Sequence, residues 1–240
     1  MSRVCAVSRL GEVDYAGALA LQRRLAEARA RGAAPDRLLL LTHPHTFTLG
    51  SAARAEHLLW DEAERQRRGV VVHRADRGGD VTYHGPGQLV AYPIITLETR
   101  DPIAYVRALE QVVIGALADF GIRARAVAGL TGVWADAPAG PAKVCAIGVR
   151  VTARAVTRHG FALNVNTDLS YFSGIVPCGI HDRGVTSLAA LLGGPADADA
   201  AAARVVAHFG RVFGFEMRVT NPKSSLAAYQ LPDLSQEMIL

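Results

Sequence analysis

Three cysteines are the residues best suited to covalent chemistry, and the sequence around them differs. Cys5 and Cys145 each lie in a short apolar run, where a buried thiol stays protonated and unreactive. Cys178 instead stands between Pro177 and Gly179, in a segment without strand or helix periodicity. A stiff residue before the thiol and a small one after it favour its exposure to a cleft. Cys178 is therefore either a nucleophile or an ordinary loop cysteine.

A nucleophilic cysteine needs a positive charge or a base beside it, since a free thiol is only about 3% ionised at neutral pH. Four residues are candidates for that partner: Lys143, His84, His159 and His181. Lys143 is unusual because only two of the 26 basic residues are lysines, and this one begins an apolar strand pattern. An ammonium group there can stabilise a thiolate. A solvated lysine at a strand end is the alternative interpretation.

Residues 77–88 form the most unusual stretch, in which two glycine turns flank a short β-prone run. Backbone N–H groups at Gly78 and Gly79 can hold an oxyanion, or let a chain-like ligand lie against the backbone. An exposed hairpin is the alternative. The stretch is not a phosphate loop, because no Gly-Lys-Ser/Thr follows. The Gly-Pro-Gly turn after His84 predicts a fixed imidazole, either in a pocket wall or in a structural role.

Strands and helices must bring these groups together. The apolar run at 38–41 predicts a strand buried on both faces, and Pro93 predicts an edge strand or a bulge. Helices are expected at 15–31, 55–68, 102–120, 185–192 and 197–213, with Asp14 and Asp101 as caps. Short strands between 123 and 166 predict antiparallel pairing. The predicted fold class is α+β (mixed α/β): a single domain with a mixed, largely antiparallel sheet and flanking helices.

Composition limits the class of protein. Of 240 residues, 50% are hydrophobic and 20% are charged, as in a packed globular domain. We expect one domain over residues 1–220 and a C-terminal tail over 221–240. No apolar run reaches the ~20 residues of a transmembrane helix, so no membrane association is expected. Three cysteines are too few for a disulfide scaffold, which favours the cytoplasm.

The same composition bears on ligands. The net charge of +4 suits an acidic protein partner, but the arginines are scattered among acids, so nucleic-acid binding is not expected. His43 and His45 form an isolated pair, and the chain has no CxxC or HExxH motif. The sequence therefore predicts no metal site.

Three blocks of sequence resemble the bacterial octanoyltransferases of lipoate biosynthesis. The first is RGGDVTYHGPGQLVAYP at 77–93, and the second is KVCAIGV at 143–149. The third runs from HGFALN at 159–164 to IVPCGI at 175–180. Their order and spacing match the family, which assigns residues 1–220 to one catalytic domain. The resemblance implies the fold of the lipoate and biotin protein ligases, and an acyltransferase activity.

The resemblance also implies a reaction and its residues. Cys178 matches the nucleophile that carries the octanoyl group as a thioester, and Lys143 matches the lysine that activates it. The implied donor is octanoyl-acyl carrier protein, and the implied acceptor is a lysine of a lipoyl-domain protein, with no cofactor. The implied acyl-binding positions are Arg77, Gly78, Gly79, Asp80, Val81, Thr82, Tyr83, His84, Ala146, Ile147, Gly148, Gly160, Phe161 and Ala162.

Three other functions compete with this interpretation. An ATP-dependent lipoate–protein ligase of the same fold would use no nucleophilic cysteine. An acyl-thioester hydrolase would release free octanoate whether or not a lipoyl domain is present. A non-catalytic binder of acyl carrier protein would form no covalent adduct.

Overall fold

The computed structural model describes residues 3–137, 140–177 and 184–229, which form two β-sheets and the helices that cover them. The strands are β1 (Arg3–Glu12), β2 (Asp36–Thr42), β3 (Thr46–Leu49), β4 (Val71–Arg74), β5 (Val81–His84), β6 (Gln88–Ile94), β7 (Ala124–Val127), β8 (Leu130–Ala137), β9 (Gly140–Val151), β10 (Thr157–Asn164), β11 (Gly184–Val185) and β12 (Phe215–Val219). The helices are α1 (Tyr15–Ala30), α2 (Glu62–Arg67), α3 (Pro102–Ala118), α4 (Leu188–Leu192), α5 (Ala198–Phe213) and α6 (Pro222–Ser225).

Over these described ranges the larger sheet has nine strands. Its order is β12-β1-β2-β6-β10-β9-β8-β7, and β11 also pairs with β9. Every pair from β2 to β7 along this order is antiparallel, whereas β1 is parallel to both its neighbours and β11 is parallel to β9. The smaller sheet has the order β4-β3-β5. This mixed, largely antiparallel arrangement with flanking helices confirms the predicted fold class.

Strand β2 shows how the larger sheet is buried. Leu38 and Leu40 join the core beneath α3 and α5, whereas Leu39 and Leu41 join the core beneath α1. Because side chains alternate between the faces of a strand, apolar residues at every position require cover on both faces. The predicted doubly buried strand is confirmed, and the sheet lies between two helical layers.

The predicted caps fix where two of the long covering helices, α1 and α3, begin. The Asp14 carboxylate accepts a hydrogen bond from the Gly17 N–H, and the Asp101 carboxylate accepts one from the Ile103 N–H. Each satisfies a backbone donor that the first helical turn leaves free. As a result α1 begins at Tyr15, and this first-turn residue lies at the site described below.

Pro93 lies in the middle of the larger sheet. It pairs with Leu38 of β2 on one side of β6, and β10 lies on the other side. The β6–β10 ladder stops at the pair Ala91 and Phe161. His159, two residues before Phe161, has a positive φ of 57°. The N–H that proline lacks is therefore not needed, because β10 is irregular there. The expected edge position is wrong, and an irregularity in the neighbouring strand accommodates the proline.

Two helices are shorter than the periodicity predicts. In 55–68, Leu58 forms a backbone bridge with Ile175, and α2 begins only after the Asp61 cap. In 185–192, Val185 belongs to β11, and α4 begins after the Ser187 cap. In both places a pairing with a distant part of the chain replaces helical turns, which local periodicity cannot reveal.

The first part of the predicted C-terminal tail packs against the domain. Leu226 is buried in the core beneath α1, and Tyr229 packs against the same core. Arg37 donates hydrogen bonds to the hydroxyl and carbonyl oxygens of Ser225. Residues 230–240 lie outside the described residues, and the boundary at 220 stays a prediction. No helix in the described ranges has the length and apolar character that crossing a bilayer requires.

Candidate active site

A cleft opens between the α1-covered face of the larger sheet and strand β5 with the loop before it. Its walls also include parts of β9 and β10. The lining residues are Tyr15, Arg77, Gly79, Asp80, Thr82, His84, Tyr92, Ala146, Ile147, Gly148, His159, Gly160, Phe161 and Ala162. Eleven of the fourteen positions expected to hold an acyl chain therefore meet in one cleft.

The other three expected positions lie outside the cleft wall. Val81 and Tyr83 pack into a hydrophobic cluster on the far side of β5, because they alternate with the cleft residues Thr82 and His84. The Gly78 N–H donates a hydrogen bond of 3.0 Å to a carbonyl of β9. These residues support the wall from behind rather than line it.

Close backbone contacts explain two of the cleft glycines. A Cβ at Gly160 would lie 2.1 Å from the Ala91 carbonyl oxygen and 2.7 Å from Pro93 Cδ. At Gly148 it would lie 3.0 Å from both Arg77 Cδ and the Gly78 carbonyl oxygen. Only a residue without a side chain lets the loop and the strands approach this closely, and the cleft stays narrow as a result.

Charged groups at the cleft are held by protein partners. The Arg77 guanidinium donates to the Thr48 carbonyl at 2.7 Å and to its hydroxyl at 2.8 Å. Next to it, Asp76 accepts hydrogen bonds from Arg158 at 2.5 Å and from His159 at 2.8 Å. Burial alone would raise the pKa of Asp76, but these donors outweigh it and lower the pKa to about 2.

The cleft histidines are neutral at neutral pH because they are buried. Desolvation lowers the pKa of His159 to about 4, although Asp76 opposes this, and it lowers the pKa of His84 well below the usual value. The His84 Nδ1–H donates to Gln88 Oε1 at 2.8 Å. The sequence offers a pocket-wall role or a structural role for His84. The residue combines the two, since it lines the cleft and is held by a hydrogen bond.

A β-bulge in β9 sets the direction of Lys143. Cys145 pairs with Val133 of β8, but Lys143 pairs with the adjacent Trp134, so Val144 is an extra residue. Val144 and Cys145 accordingly both pack into the core beneath α3 and α5. The bulge shifts the alternation by one residue, and the Lys143 side chain falls on the opposite face, the face that carries the cleft.

Lys143 is buried, with only 6% of its surface exposed. Its Nζ lies 4.9 Å from the centre of the Trp134 ring. A Cβ at Gly132 would lie 3.4 Å from Lys143 Cδ and Cε, so the glycine leaves room for the lysine stem. The Lys143 carbonyl accepts a 2.9 Å hydrogen bond from the Thr186 N–H. A solvated strand-end lysine is therefore excluded, although Lys143 is not itself among the residues that line the cleft.

The expected nucleophile Cys178 lies outside the described residues, and so does His181. The residues on both sides of that segment are described. Ile175 and Val185 pack in the same hydrophobic cluster, and Val185 is the backbone partner of Lys143. The segment that carries Cys178 thus begins and ends at one cluster beside the lysine.

The two remaining cysteines lie in the core, as their apolar surroundings predict. Both are free thiols and both are fully buried. Burial raises the pKa of Cys5 to about 12 and raises the pKa of Cys145 even further. Neither thiol is suited to act as a nucleophile.

Sequence reasoning missed two wall residues, Tyr15 and Tyr92, and did not place His159 in the wall. Tyr92 lies in the first of the three sequence blocks, so its membership of that block could have predicted its position in the cleft. Tyr15 had no such signal, because its position depends on how α1 crosses the sheet. Its buried hydroxyl has no hydrogen-bond partner within the described part of the chain, and burial raises its pKa to about 12.

Comparison with solved structures shows a shared fold. A chain from the archaeal lipoylation system of Thermoplasma acidophilum, a bi-partite lipoate protein ligase and its E2 lipoyl domain, matches with a TM-score of 0.73 and 18% identity over 96% of this chain and 93% of that chain. Lipoate-protein ligase A bound with ATP matches with a TM-score of 0.69 and 17% identity over 97% and 95%. At these identities the likeness concerns the fold alone, and it confirms the expected lipoate ligase-like architecture.

Comparison of sequences identifies the family. The family model for the lipoyl protein ligase A/B catalytic domain matches residues 14–210. The octanoyltransferase of Solibacter usitatus (strain Ellin6076) is 52% identical over 228 residues, which cover 94% of this chain and 99% of the relative. The octanoyltransferase of Chloroflexus aurantiacus (strain ATCC 29366 / DSM 635 / J-10-fl) is 54% identical over 220 residues, or 90% and 97%. The chain therefore belongs to the lipoyl protein ligase A/B family and, within it, to the octanoyltransferases, which are acyltransferase enzymes.

Proposed function

We propose that the chain moves an octanoyl group from octanoyl-acyl carrier protein to a lysine of a lipoyl domain through a thioester on Cys178. The Cys178 thiolate, stabilised by the Lys143 ammonium, attacks the carbonyl carbon of the donor thioester. The bond to the carrier sulfur breaks, and the departing thiolate takes a proton from Lys143. An octanoyl-enzyme and a neutral Lys143 amine remain.

The second step restores both residues. The amine of the acceptor lysine attacks the enzyme thioester, an amide forms, and the bond to the Cys178 sulfur breaks. Neutral Lys143 accepts the proton that the attacking amine loses. The cysteine is again a thiolate and the lysine is again an ammonium, so the cycle closes without a further reactant.

The observation that carries this proposal is the position of Lys143. Burial of an ammonium group costs free energy, so a lysine kept in a buried position indicates a functional role. A bulge turns Lys143 toward the cleft face. Ile175 and Val185, which lie close to the two ends of the Cys178 segment, pack in one cluster, and Val185 pairs with Lys143. This arrangement supports a cysteine–lysine pair at one end of the cleft.

The cleft suits an uncharged, unbranched chain. Glycines at 148 and 160 let the backbone approach closely, and the wall includes Ala146, Ile147 and Phe161. The histidines in the wall are neutral at neutral pH because burial lowers their pKa values. These features support binding of a saturated acyl chain along β9 and β10.

The partners and the location follow from the same chemistry. A net charge of +4 favours docking of an acidic carrier protein, and such docking weakens as salt screens the charges. A nucleophilic thiol must stay reduced, which supports a cytoplasmic location. Transfer from a thioester to an amine is downhill, so the proposed reaction needs no ATP.

A transfer assay with and without ATP tests the proposal. We expect octanoyl-carrier protein to octanoylate a lipoyl domain equally well in both conditions, and Cys178→Ser to lose nearly all activity. Cys145→Ser is the matched control, because it changes a thiol that the proposed reaction does not use. Transfer that needed ATP and survived Cys178→Ser would instead identify a ligase. Release of free octanoate at the same rate without a lipoyl domain would identify a hydrolase.

A further inference from the structure

One asparagine occupies the place where β9 changes its partner. The β9–β10 ladder ends at Cys145 and Leu163, and the β9–β11 ladder includes Lys143 and Val185. Asn164 is the next residue of β10, and it is buried. It therefore lies between the strand that forms the cleft wall and the strand that follows the Cys178 segment.

The side chain of Asn164 joins these two strands. Its Nδ2 donates to the Thr186 carbonyl at 3.0 Å, and its Oδ1 accepts from Gln88 Nε2 at 2.9 Å. Gln88 in turn accepts from His84 in the cleft wall. On the other side, the Thr186 N–H donates to the Lys143 carbonyl. A continuous chain of hydrogen bonds thus links the cleft wall to the backbone of the buried lysine.

The direction of this chain is fixed by its ends. The carbonyl of Thr186 can only accept, so Asn164 must present its amide nitrogen there and its oxygen to Gln88. Gln88 also donates to the Tyr83 carbonyl at 3.1 Å, which fixes its own orientation. A primary amide donates and accepts at once from a planar group, and an apolar side chain of the same size does neither. The position therefore specifies an amide.

The two ends of the Cys178 segment are held independently. Before it, the Val176 N–H donates to the His57 carbonyl at 2.8 Å, and the His57 imidazole donates to Asp80. After it, Thr186 is held by Asn164 and Lys143. Only the second anchor contacts the backbone of the lysine, so it determines how the end of the segment meets Lys143.

We propose that Asn164 is a positioning residue, which holds Thr186 against Lys143 so that the Cys178 thiol and the Lys143 ammonium meet. The inference rests on the proposed function, because it presupposes that Cys178 carries the acyl group. Asn164 contacts neither reacting group, and it acts through Thr186. Its loss should therefore weaken thiolate stabilisation and acylation more than it weakens binding of the donor.

Asn166 provides a matched control two residues further along. Its side chain also donates one hydrogen bond and accepts one, but both partners are backbone groups of Ala196: it donates to the carbonyl at 2.8 Å and accepts from the N–H at 2.9 Å. These bonds hold the loop before α5 and have no connection to Thr186 or Lys143. An asparagine that stabilises the fold without positioning the reacting pair is therefore available in the same region.

The experiment compares the wild type with Asn164→Ala, Asn164→Leu and Asn166→Ala. Asn164→Leu keeps the branched arrangement of four side-chain atoms and replaces the amide oxygen and nitrogen with bulkier methyl groups, whereas Asn164→Ala removes the amide without adding bulk. The first measurement is the pH profile of Cys178 alkylation by iodoacetamide, followed by peptide mapping. The second is the single-turnover rate of octanoyl-enzyme formation at low and at saturating donor concentrations. Circular dichroism confirms that each variant is folded.

We expect both Asn164 variants to move the alkylation profile to higher pH and to slow acylation at saturating donor by about tenfold to a hundredfold, as small displacements of reacting groups do. Asn166→Ala should alkylate and acylate as the wild type does. Identical alkylation profiles for the Asn164 and Asn166 variants would overturn the inference. So would failure of both Asn164 variants to fold while Asn166→Ala folds, because the residue would then be purely structural. A wild type without acylation at Cys178 would refute the proposed function instead.

Discussion

The two halves of β9 are built differently. Residues 146–151 form a regular antiparallel ladder with β10, and they supply three residues of the cleft wall. Residues 140–145 contain the bulge at Val144, exchange β10 for the parallel strand β11, and bury Lys143. A regular strand gives a uniform surface along which a chain can lie. A bulge in a strand can place one side chain on the face opposite to the one that regular alternation would give it.

The same contrast separates Lys143 from Cys145. In a regular strand these residues would share a face, and the lysine would be buried with the thiol beneath α3 and α5. The bulge leaves Cys145 in that core and moves Lys143 out of it. The irregular half of β9 therefore holds the proposed chemistry, and the regular half holds the proposed binding groove.

The largest expected effect is that of Lys143→Arg. The substitution keeps the positive charge, but a guanidinium cannot give up its proton at neutral pH, and it is larger than an ammonium. We expect octanoyl transfer to fall by about 10²- to 10⁴-fold, the range typical of lost acid–base catalysis. The rate of single-turnover transfer measures this. Near-normal turnover would remove Lys143 from the mechanism and would leave the bulge without a catalytic purpose.

Acid should destabilise the fold on the cleft side through the buried histidines His43 and His159. Burial lowers the pKa values of His43 and His159 from 6.5 to about 4, so the unfolded chain binds more protons than the folded chain between these values. Stability is therefore full above pH 6.5 and falls as the pH drops toward 4. Each histidine contributes on the order of 3 kcal/mol to this loss.

Urea unfolding between pH 7 and pH 4 measures the effect. The variant His43→Gln removes one titrating group from this window, so we expect its stability to fall less steeply with decreasing pH. A wild-type free energy of unfolding that stays constant down to pH 4 would contradict the assignment of neutral, buried histidines.

Gly160→Ala should test how tightly β10 is packed where it pairs with the regular half of β9. A methyl group there would collide with the Ala91 carbonyl and with Pro93, which are backbone and ring atoms that cannot rotate away. We expect a loss of about 2–3 kcal/mol in the free energy of unfolding, as in other overpacked sites. Gly194→Ala is the control, because a Cβ there meets no atom within 4 Å. Equal stability of the two variants would show that the groove is looser than described.

Cys145→Ala should have the smallest effect. The thiol is buried in the core beneath α3 and α5, so its removal should cost about 1 kcal/mol of stability. Octanoyl-enzyme formation should proceed at the wild-type rate, because burial keeps this thiol protonated. A strong loss of acylation in a folded Cys145→Ala protein would contradict the claim that this buried thiol takes no part in the reaction.

The sequence predicts most of what local patterns determine. The run at Leu38–Leu41, the cap at Asp101 and the glycine-rich wall at 77–84 are all visible as residue types at fixed spacing. What it could not predict depends on contacts between distant parts of the chain. The bulge at Val144 arises from pairing with β8, and Tyr15 reaches the cleft only through the crossing of α1. The helix predicted at 185–192 begins later than expected because Val185 pairs with β9 in β11.

Pro93 is a second case in which a contact with a distant part of the chain overrides a local prediction. A proline in a strand predicts an edge position or a bulge when only its own sequence is considered. The structure keeps it in a central strand, because β10 is irregular where the missing N–H would have been needed. The compensating feature lies more than sixty residues away, at His159, and no pattern near Pro93 announces it.

The most direct test of a thioester on Cys178 is the mass of the intact protein after mixing with octanoyl-carrier protein, without a lipoyl domain. We expect a gain of one octanoyl group without ATP, mapped by peptide analysis to Cys178, and its loss when a lipoyl domain is added. Absence of an adduct, or an adduct on Cys145 or on a lysine, would contradict it.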